Sequence, residues 1–312
     1  MLRRPTGARE HRHFTDFPSL LEPGDVVVVN DTRVIPARLR PRRPGGGAAE
    51  VLLVRREREG TWRALVRPGA RIRAGARLTL DGADQVEVLE QLGTGERLVR
   101  LAGEGGEDGV LARHGHVPLP PYIARADTPD DRERYQTVYA AVSGSVAAPT
   151  AGLHFTAETL RALEGRGAVL ARVTLHVGVG TFRPVTASNP DDHRMDEEAY
   201  VLPKETAAAI AAARRRGARV WAVGTTTLRT LETCATDDRT VRAGSGWTSL
   251  FVRPGFSFRV VDRLLTNFHL PRSTLLMLVC AFAGTEAVLA TYREAVERRY
   301  RFYSYGDAMA IL

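Results

Sequence analysis

From Thr156 onwards, strand-like and helix-like patterns alternate along the chain, and this alternation restricts the fold more than any other feature. Residues 168–175 alternate as a strand, and residues 203–216 form a helical pattern that Pro203 opens and Gly217 ends. Residues 219–223 predict a further strand, which a short loop joins to a helix at residues 228–235. Strands that alternate with helices in this way indicate an α/β fold.

Other local patterns make further predictions. Residues 26–29 predict a buried strand, residues 248–253 predict another strand, and residues 191–200 predict a polar connector. Thr156 and Ser273 each stand in a position typical of a helix N-cap.

A different pattern occupies residues 50–101, where short alternating runs are separated by glycine and proline turns. Evenly spaced short strands predict a small antiparallel sheet or barrel. The loop PRRPGGG at residues 41–47 and the loop GEGGEDG at residues 103–109 mark its limits. We therefore predict a discontinuous α/β domain of residues 1–48 and 115–312, with an inserted domain at 49–114. Its outward arginines are typical either of an RNA-facing surface or of an ordinary solvated one.

Composition narrows the class of protein. The longest apolar run, residues 275–283, is far shorter than the roughly 20 residues that a membrane span needs. The N-terminal residues are basic but lack the apolar stretch of a secretory signal. Cys234 and Cys280 are far apart and lack metal-ligand spacing, so we expect buried thiols in a reducing compartment. These features predict a cytoplasmic protein with no metal site and no membrane association. A monomer is expected, because no heptad repeat or obvious pairing edge is present.

The charge balance favours an anionic partner. The net charge is +8, and of the 44 lysine and arginine residues only Lys204 is lysine. A basic chain of this kind favours nucleic acid, and arginine offers bidentate contacts to phosphate. The arginine excess is also the expected result of a biased genome base composition.

Four loops combine glycine or proline with polar side chains: GSVAAPTAGLHF (144–155), LHVGVGTF (175–182), AVGTTTLRTLE (222–232) and TNFHLPRSTLLMLV (266–279). Four such loops suggest one composite site. Taken singly, each has a simpler interpretation. The first is a tight connector whose histidine caps a helix, and Arg229 and Glu232 form a surface ion pair. Residues 30–33 form either a hairpin turn or a site-edge loop in which Arg33 or Arg38 faces an anion.

Together with NDTRVIPARL (30–39), PLPPYI (118–123) and YRFYSYGDAM (300–309), these motifs resemble the S-adenosylmethionine:tRNA ribosyltransferase-isomerase family of queuosine biosynthesis. The resemblance extends over nearly the whole chain from about Thr6. It implies a larger mixed α/β domain with an inserted small antiparallel β-barrel domain. It also implies that no metal or prosthetic group is used.

The resemblance implies a reaction on tRNA that carries 7-aminomethyl-7-deazaguanine at the wobble position. The ribosyl part of S-adenosylmethionine, the cosubstrate, is transferred to the aminomethyl group and rearranged to an epoxycyclopentanediol. Epoxyqueuosine forms, and adenine and methionine leave. This chemistry needs a base for the C5′ hydrogen beside the sulfonium and a hydrogen-bond donor for the departing adenine.

The motif loops supply candidates for these roles. The catalytic candidates are His154, His176, His269 and Glu232, and our hypothesis is that one histidine, His154 first, is the base. We assign the glycine and threonine loops to S-adenosylmethionine or its ribose. The expected substrate-binding residues are Thr150, Gly152, Gly178, Gly180, Thr181, Thr225, Thr226, Thr227, Arg229 and Asn267. The arginines expected to contact tRNA are Arg33, Arg38 and Arg253.

The chain departs from the family pattern in places. Family members usually carry a longer N-terminal segment with an early strand. Either the start of this sequence is misassigned, or a first strand is missing, and a missing strand would bear on stability and on the site. Asp196 and Ser249 stand where a histidine and an aspartate are usual. Two other classes of protein are alternatives: a non-catalytic RNA-binding factor, which would not need four polar loops, and an RNA methyltransferase. The methyltransferase would show a glycine-rich loop and an acidic strand end, and it would release S-adenosylhomocysteine.

Overall fold

The computed structural model describes residues 1–4, 6–93, 95–178, 180, 189 and 192–312. The strands are β1 (Val26–Asn30), β2 (Thr32–Val34), β3 (Arg38–Leu39), β4 (Glu50–Arg58), β5 (Thr61–Arg67), β6 (Arg77–Thr79), β7 (Gln85–Gln91), β8 (Arg97–Ala102), β9 (Val142–Ser145), β10 (Val169–Leu175), β11 (Glu198–Leu202), β12 (Val220–Val223), β13 (Gly244–Thr248), β14 (Arg263–Asn267) and β15 (Ala308–Ile311). The helices are α1 (Gly106–His114), α2 (Asp131–Arg134), α3 (Ala157–Gly165), α4 (Lys204–Arg215), α5 (Thr225–Thr233), α6 (Thr274–Ala283) and α7 (Thr285–Glu297). Short 3₁₀ helices occupy Phe14–Leu20, Gly69–Arg71 and Thr150–His154.

The chain packs as two compact units. The first comprises residues 1–32, 137–142 and 148–312, and the second comprises residues 33–136 and 143–147. The predicted domain bounds of 49–114 stay a prediction. The fold is mixed α/β with several sheets, as the alternation of patterns predicted.

The first unit contains a seven-stranded mixed sheet in the order β13-β11-β10-β1-β12-β14-β15. Strand β1 is parallel to β10 and β12, and β12 is parallel to β14, while the outer pairs are antiparallel. The first four residues of β1 are valines with no exposed surface. Val26 and Val28 join the apolar core on one face, and Val27 and Val29 join the core on the other. A strand buried on both faces explains the continuous apolar run in the sequence.

Both chain termini are joined to the edge of this sheet. Leu2 is fully buried and forms a parallel bridge to Ile311 of β15. Its N–H donates to the carbonyl of Ala310 at 2.8 Å, and its carbonyl accepts from the N–H of Leu312 at 2.9 Å. The outer edge of β15 is therefore paired with the start of the chain.

Side-chain caps fix where two helices begin. The hydroxyl of Thr156 accepts from the N–H of Thr159, and that of Ser273 accepts from the N–H of Leu276. Both caps were predicted, because serine and threonine satisfy N–H groups that a first helical turn leaves unpaired. Helix α6 contributes Leu278, Val279 and Phe282 to the core.

Three local predictions were wrong. A strand was expected at residues 248–253, but β13 ends at Thr248, whose hydroxyl accepts from the N–H of Leu250 at 3.2 Å. A local bond of this kind stabilises a turn, so the backbone does not continue the hydrogen bonding of the strand. The polar connector expected at residues 191–200 gives way to β11 at Glu198. Residues 30–33 are no hairpin turn, since β1 and β2 belong to different sheets.

The second unit contains a six-stranded antiparallel sheet in the order β3-β4-β5-β8-β7-β6. Its short strands were predicted from the alternating runs at residues 50–101. Many of its outward arginines pair with acidic residues of the same sheet: Arg55 and Arg63 with Glu57, and Arg77 and Arg100 with Glu87. These pairs favour an ordinary solvated surface over an RNA-facing one.

In the described part of the chain, no single helix is long and apolar enough to cross a membrane. Helices α6 and α7 satisfy the criterion only when taken together, and they are bent by 114° at the break between them.

Candidate active site

Polar side chains gather where the parallel strands of the first unit end. Asn30 is the last residue of β1, has no exposed surface, and bonds to both backbone groups of Leu175 at the end of β10. Its amide nitrogen also lies 3.4 Å from the hydroxyl of Thr226 in α5. Carboxyl ends of parallel strands are the usual place for ligands in open α/β sheets. Asn30 therefore joins three of the predicted loops at the carboxyl ends of the parallel strands.

His176 follows β10 at this edge. Its Nδ1 lies 2.8 Å from the hydroxyl of Thr32, and the nearby Asp31 accepts from Thr174 at 2.6 Å. Burial lowers the pKa of His176, although the negative charge of Asp31 opposes that shift. Because the pKa lies below 6.5, the imidazole is neutral at physiological pH.

A second hydrogen-bonded group joins the loop before α3 to the end of β14. The Thr150 hydroxyl donates to Asn267 Oδ1 at 2.9 Å, and Asn267 Nδ2 lies 3.3 Å from His154 Nε2. With the amide in this orientation, Nδ2 donates, so Nε2 of His154 is an acceptor and Nδ1 carries the proton. Two loops that are more than a hundred residues apart in sequence thus share one polar contact.

His154 also lines a cavity of about 380 Å³, within the size range of small-molecule sites. Its ring stacks on Phe14 with centroids 5.2 Å apart, and Asp307 lines the same cavity. Burial lowers the pKa of His154, with Asp307 opposing the shift and Arg301 adding to it. The neutral imidazole is the form that can accept a proton.

His269 is held more tightly. Its Nε2 lies 2.9 Å from the hydroxyl of Thr266, and its backbone N–H donates to the Tyr292 hydroxyl at 2.9 Å. Burial lowers the pKa of His269 to about 4. Each of the three histidines therefore has a lowered pKa, and for His269 the shift is large.

The predicted threonine loop forms the first turn of α5. Gly224 precedes it with φ of +88°, a conformation that favours glycine. Thr225, Thr226 and Thr227 are all buried, and the Thr227 hydroxyl donates to the carbonyl of Val223 at 2.7 Å. That bond gives Thr227 a local structural partner.

Arg229 and Glu232 of α5 do not form the surface ion pair that their spacing suggested, because both are buried. Arg229 pairs through Nη1 with Glu198 of β11, and its Nε donates to the carbonyl of Leu250 at 2.9 Å. The carboxylate of Glu232 instead accepts the backbone N–H groups of residues 259–261. These hydrogen bonds favour a structural role for Glu232, and its catalytic role stays a prediction.

Glu198 is a site residue that the sequence did not reveal. Its Oε1 accepts from the N–H of Gly178 at 3.0 Å while its Oε2 holds Arg229. The side chain of Glu198 is 6% exposed, and that of Arg229 is 4% exposed. Within the described residues, Nη2 of Arg229 is buried without a hydrogen-bond partner, although buried donors are normally satisfied. The pair thus connects the glycine loop after β10 to α5, with one donor uncommitted.

Two glycines of the site, Gly152 and Gly180, stand where a side chain would collide with a neighbour. A Cβ on Gly152 would overlap the hydroxyl of Tyr139 and lie 2.8 Å from Thr137, and a Cβ on Gly180 would overlap the carboxylate of Asp196. Thr181 lies outside the described residues. Of the predicted tRNA contacts, Arg253 is in the first unit, whereas Arg33 and Arg38 are in the second.

Within the described part of the chain, no three His, Cys, Asp or Glu side chains converge as a metal site would require. Both cysteines are buried free thiols, as expected.

Known proteins resemble this chain over its whole length. The family described as queuosine biosynthesis protein matches residues 1–311. The S-adenosylmethionine:tRNA ribosyltransferase-isomerase of Moorella thermoacetica is 54% identical over 315 residues, covering 100% of this chain and 92% of the relative. The protein of the same name from an Anaeromyxobacter species is 56% identical over 310 residues, covering 98% and 89%.

Among solved structures, the S-adenosylmethionine tRNA ribosyltransferase of Thermotoga maritima is similar, with a TM-score of 0.55 and 40% identity. The match covers 100% of this chain and 90% of that one. Family motifs, whole-chain identity and a polar edge formed by those same motifs agree, and the chain belongs to the queuosine biosynthesis protein family.

Proposed function

We propose that this chain is an S-adenosylmethionine:tRNA ribosyltransferase-isomerase. The observation that carries the proposal is identity above 50% over nearly the whole chain to relatives of that name. The geometry supports it, because the motif loops meet at the ends of β1, β10, β12 and β14. S-adenosylmethionine serves as cosubstrate, and tRNA bearing 7-aminomethyl-7-deazaguanine at the wobble position is the acceptor.

In the proposed reaction, a base removes the C5′ proton that the sulfonium acidifies. The aminomethyl nitrogen forms a bond to the ribosyl carbon skeleton and loses a proton, while the bonds to adenine and to the methionine sulfur break. The five ribosyl carbons close into a cyclopentane ring, and the former ring oxygen becomes the epoxide oxygen of epoxyqueuosine. We assign the base role to His154 because its neutral ring lines a cavity, with His176 and His269 as the alternatives.

The remaining candidates have binding roles in the proposal. Thr150 and Asn267 orient His154 through their hydrogen bonds. Gly152, Gly178, Gly180, Thr181 and the threonines at 225–227 approach S-adenosylmethionine or its ribose, and the uncommitted Nη2 of Arg229 is the donor best suited to an acceptor oxygen. Arg33, Arg38 and Arg253 contact the tRNA.

We further propose that the six-stranded sheet closes into a small barrel, in which β4 to β8 belong to the inserted segment 49–114 and β3 lies just before it. Arg42, just after β3, and Thr79 of β6 exchange two backbone hydrogen bonds of 2.7 and 2.9 Å, which link the two ends of the strand order. Closing a sheet in this way removes its unpaired edges. Slow hydrogen exchange at both amides is expected, and fast exchange would refute closure.

The protein is proposed to act as a cytoplasmic monomer, because its proposed substrate is tRNA and its sequence contains no heptad repeat. Sedimentation of the purified chain tests the oligomeric state, and a dimer at micromolar concentration would refute it.

The activity is tested by mixing the purified chain with S-adenosylmethionine and tRNA that carries the aminomethyl-deazaguanine. Free adenine that appears only with the modified tRNA is the expected result. S-adenosylhomocysteine in place of adenine would identify a methyltransferase, and binding of tRNA with neither product would identify a non-catalytic RNA-binding factor.

A further inference from the structure

Six arginines line one cavity of the first unit, at the end of the parallel strands opposite to the candidate active site. The cavity measures about 830 Å³, and its arginines are Arg3, Arg4, Arg214, Arg219, Arg239 and Arg263. Arg219 immediately precedes β12, and Arg263 is the first residue of β14. Because these two strands are parallel, the cavity lies at their amino ends, whereas Gly224 and Asn267 lie at their carboxyl ends.

Acidic groups only partly neutralise this cavity. Asp262 lies 2.6 Å from Arg214 and 3.3 Å from Arg239, and it also accepts the N–H of Val220 at 2.8 Å. Arg3 pairs with Glu10 at 3.2 Å, and the charges of Asp25 and Asp262 both act on Arg263. These carboxylates are fewer than the six guanidinium groups, so positive charge remains in excess.

Two of the arginines are uncommitted. Within the described residues, the guanidinium groups of Arg219 and Arg263 make no hydrogen bond or ion pair. Burial lowers the pKa of Arg263, and the charges of Arg219 and Arg4 add to that shift, while Asp25 and Asp262 oppose it. Like charges held this close are unfavourable, and an anion placed between them would relieve the repulsion.

The walls that hold these charges are fixed by the fold. Arg4 lies over the ring of Phe282 at 4.3 Å and donates to the carbonyl of Asp262, while Arg214 donates to the carbonyl of Val260. Cations that are already positioned lose little entropy on binding. Guanidinium forks also match the oxygens of a phosphate in a bidentate manner.

We propose that this arginine cavity binds a phosphate group, and that the ligand is the RNA backbone of the substrate at a point away from the reacting nucleotide. The choice of RNA rests on the proposed function. Strand β12 has four residues and spans only about 13 Å. A tRNA bound at the carboxyl ends of the strands is therefore large enough to reach their amino ends. Phosphate contacts of this kind set orientation and carry no sequence information.

The test measures binding of an unmodified tRNA transcript by fluorescence anisotropy at several salt concentrations. Arg219→Gln and Arg263→Gln should each weaken binding roughly tenfold at low salt and reduce the steepness of the salt dependence by about 0.7–0.9 per lost contact. Arg161→Gln is the matched control, because Arg161 is exposed on α3 and pairs with Glu158. Equal affinity and slope for all three variants would overturn the proposal.

Two further measurements separate the possible failures. Arg219 is exposed, so Arg219→Gln should retain the wild-type melting temperature even if Arg263→Gln does not. Inorganic pyrophosphate should compete with the transcript for the wild type and not for Arg219→Gln; pyrophosphate binding without competition would overturn the RNA assignment. The binding test uses an unmodified transcript and therefore does not depend on the reaction. If the wild type released no adenine with modified tRNA, but the two variants still lost affinity for the transcript, the proposed activity would be refuted and this site would still be supported.

Discussion

His154 is the side chain whose loss we expect to reduce turnover most. General bases contribute about 10²–10⁴-fold to a rate, so His154→Ala should lower adenine release within that range. Because burial lowers the pKa of His154, the fall of the wild-type rate on acidification should lie at a lower pH than for an unperturbed histidine. Near-normal turnover in His154→Ala would transfer the role to another group. His176→Ala and His269→Ala are the parallel variants.

His269 gives a prediction about stability. Its pKa is about 4 in the folded protein, against about 6.5 in the unfolded chain. Because the unfolded state binds the proton more readily, this contribution is fully present above pH 6.5 and is lost as the pH falls towards 4. Between pH 7 and 5 the loss should be about 2 kcal/mol.

Urea unfolding of the wild type and of His269→Gln at pH 7 and pH 5 measures that loss. His154 and His176 titrate in both proteins, so the difference between the two pH dependences isolates His269. An identical pH dependence in the variant would show that His269 does not remain neutral in the fold.

At the level of elements, the buried pair Glu198–Arg229 connects β11 to α5. Glu198→Gln leaves the Arg229 charge buried without compensation and should lower the free energy of unfolding by about 3–5 kcal/mol. Replacing both partners, Glu198→Leu with Arg229→Met, should recover most of that stability. Adenine release should stay low in the double variant, because Gly178 loses its carboxylate acceptor and Nη2 of Arg229 is gone. Full activity in the stable double variant would make the pair purely structural.

Close packing of the Thr150–His154 turn against Tyr139 yields a second prediction at this scale. Gly152→Ala places a methyl group against the Tyr139 hydroxyl and should lower the free energy of unfolding by about 1–3 kcal/mol. Tyr139→Phe removes that hydroxyl, which is buried without a partner in the described residues, and should rescue part of the loss. Calorimetric melting of the two single variants and the double variant tests the coupling. Strictly additive effects would contradict it.

For the whole molecule, the sequence predicted what local patterns determine. Four consecutive valines marked the buried strand β1, and Thr156 and Ser273 marked helix starts, because a strand face or a cap depends on neighbouring residues. Glu198 and Arg229 meet across 31 positions, and Glu232 meets backbone donors at residues 259–261. No local pattern signals such contacts, so the polar connector and the surface ion pair were the natural but wrong interpretations. The catalytic assignments came from the family resemblance, and they stay predictions.

The bridge between Leu2 and the last strand has a consequence for how the protein is made. Leu2 is synthesised about 308 residues before Ala310, to which it bonds. The buried leucine must therefore remain without this partner while all the residues between them are translated. Domains usually fold as units once their chain has emerged, and contacts between distant residues form slowly. The edge of the central sheet is thus expected to close only after β15 has been synthesised, and until then the segment around Leu2 is one that a chaperone would find exposed.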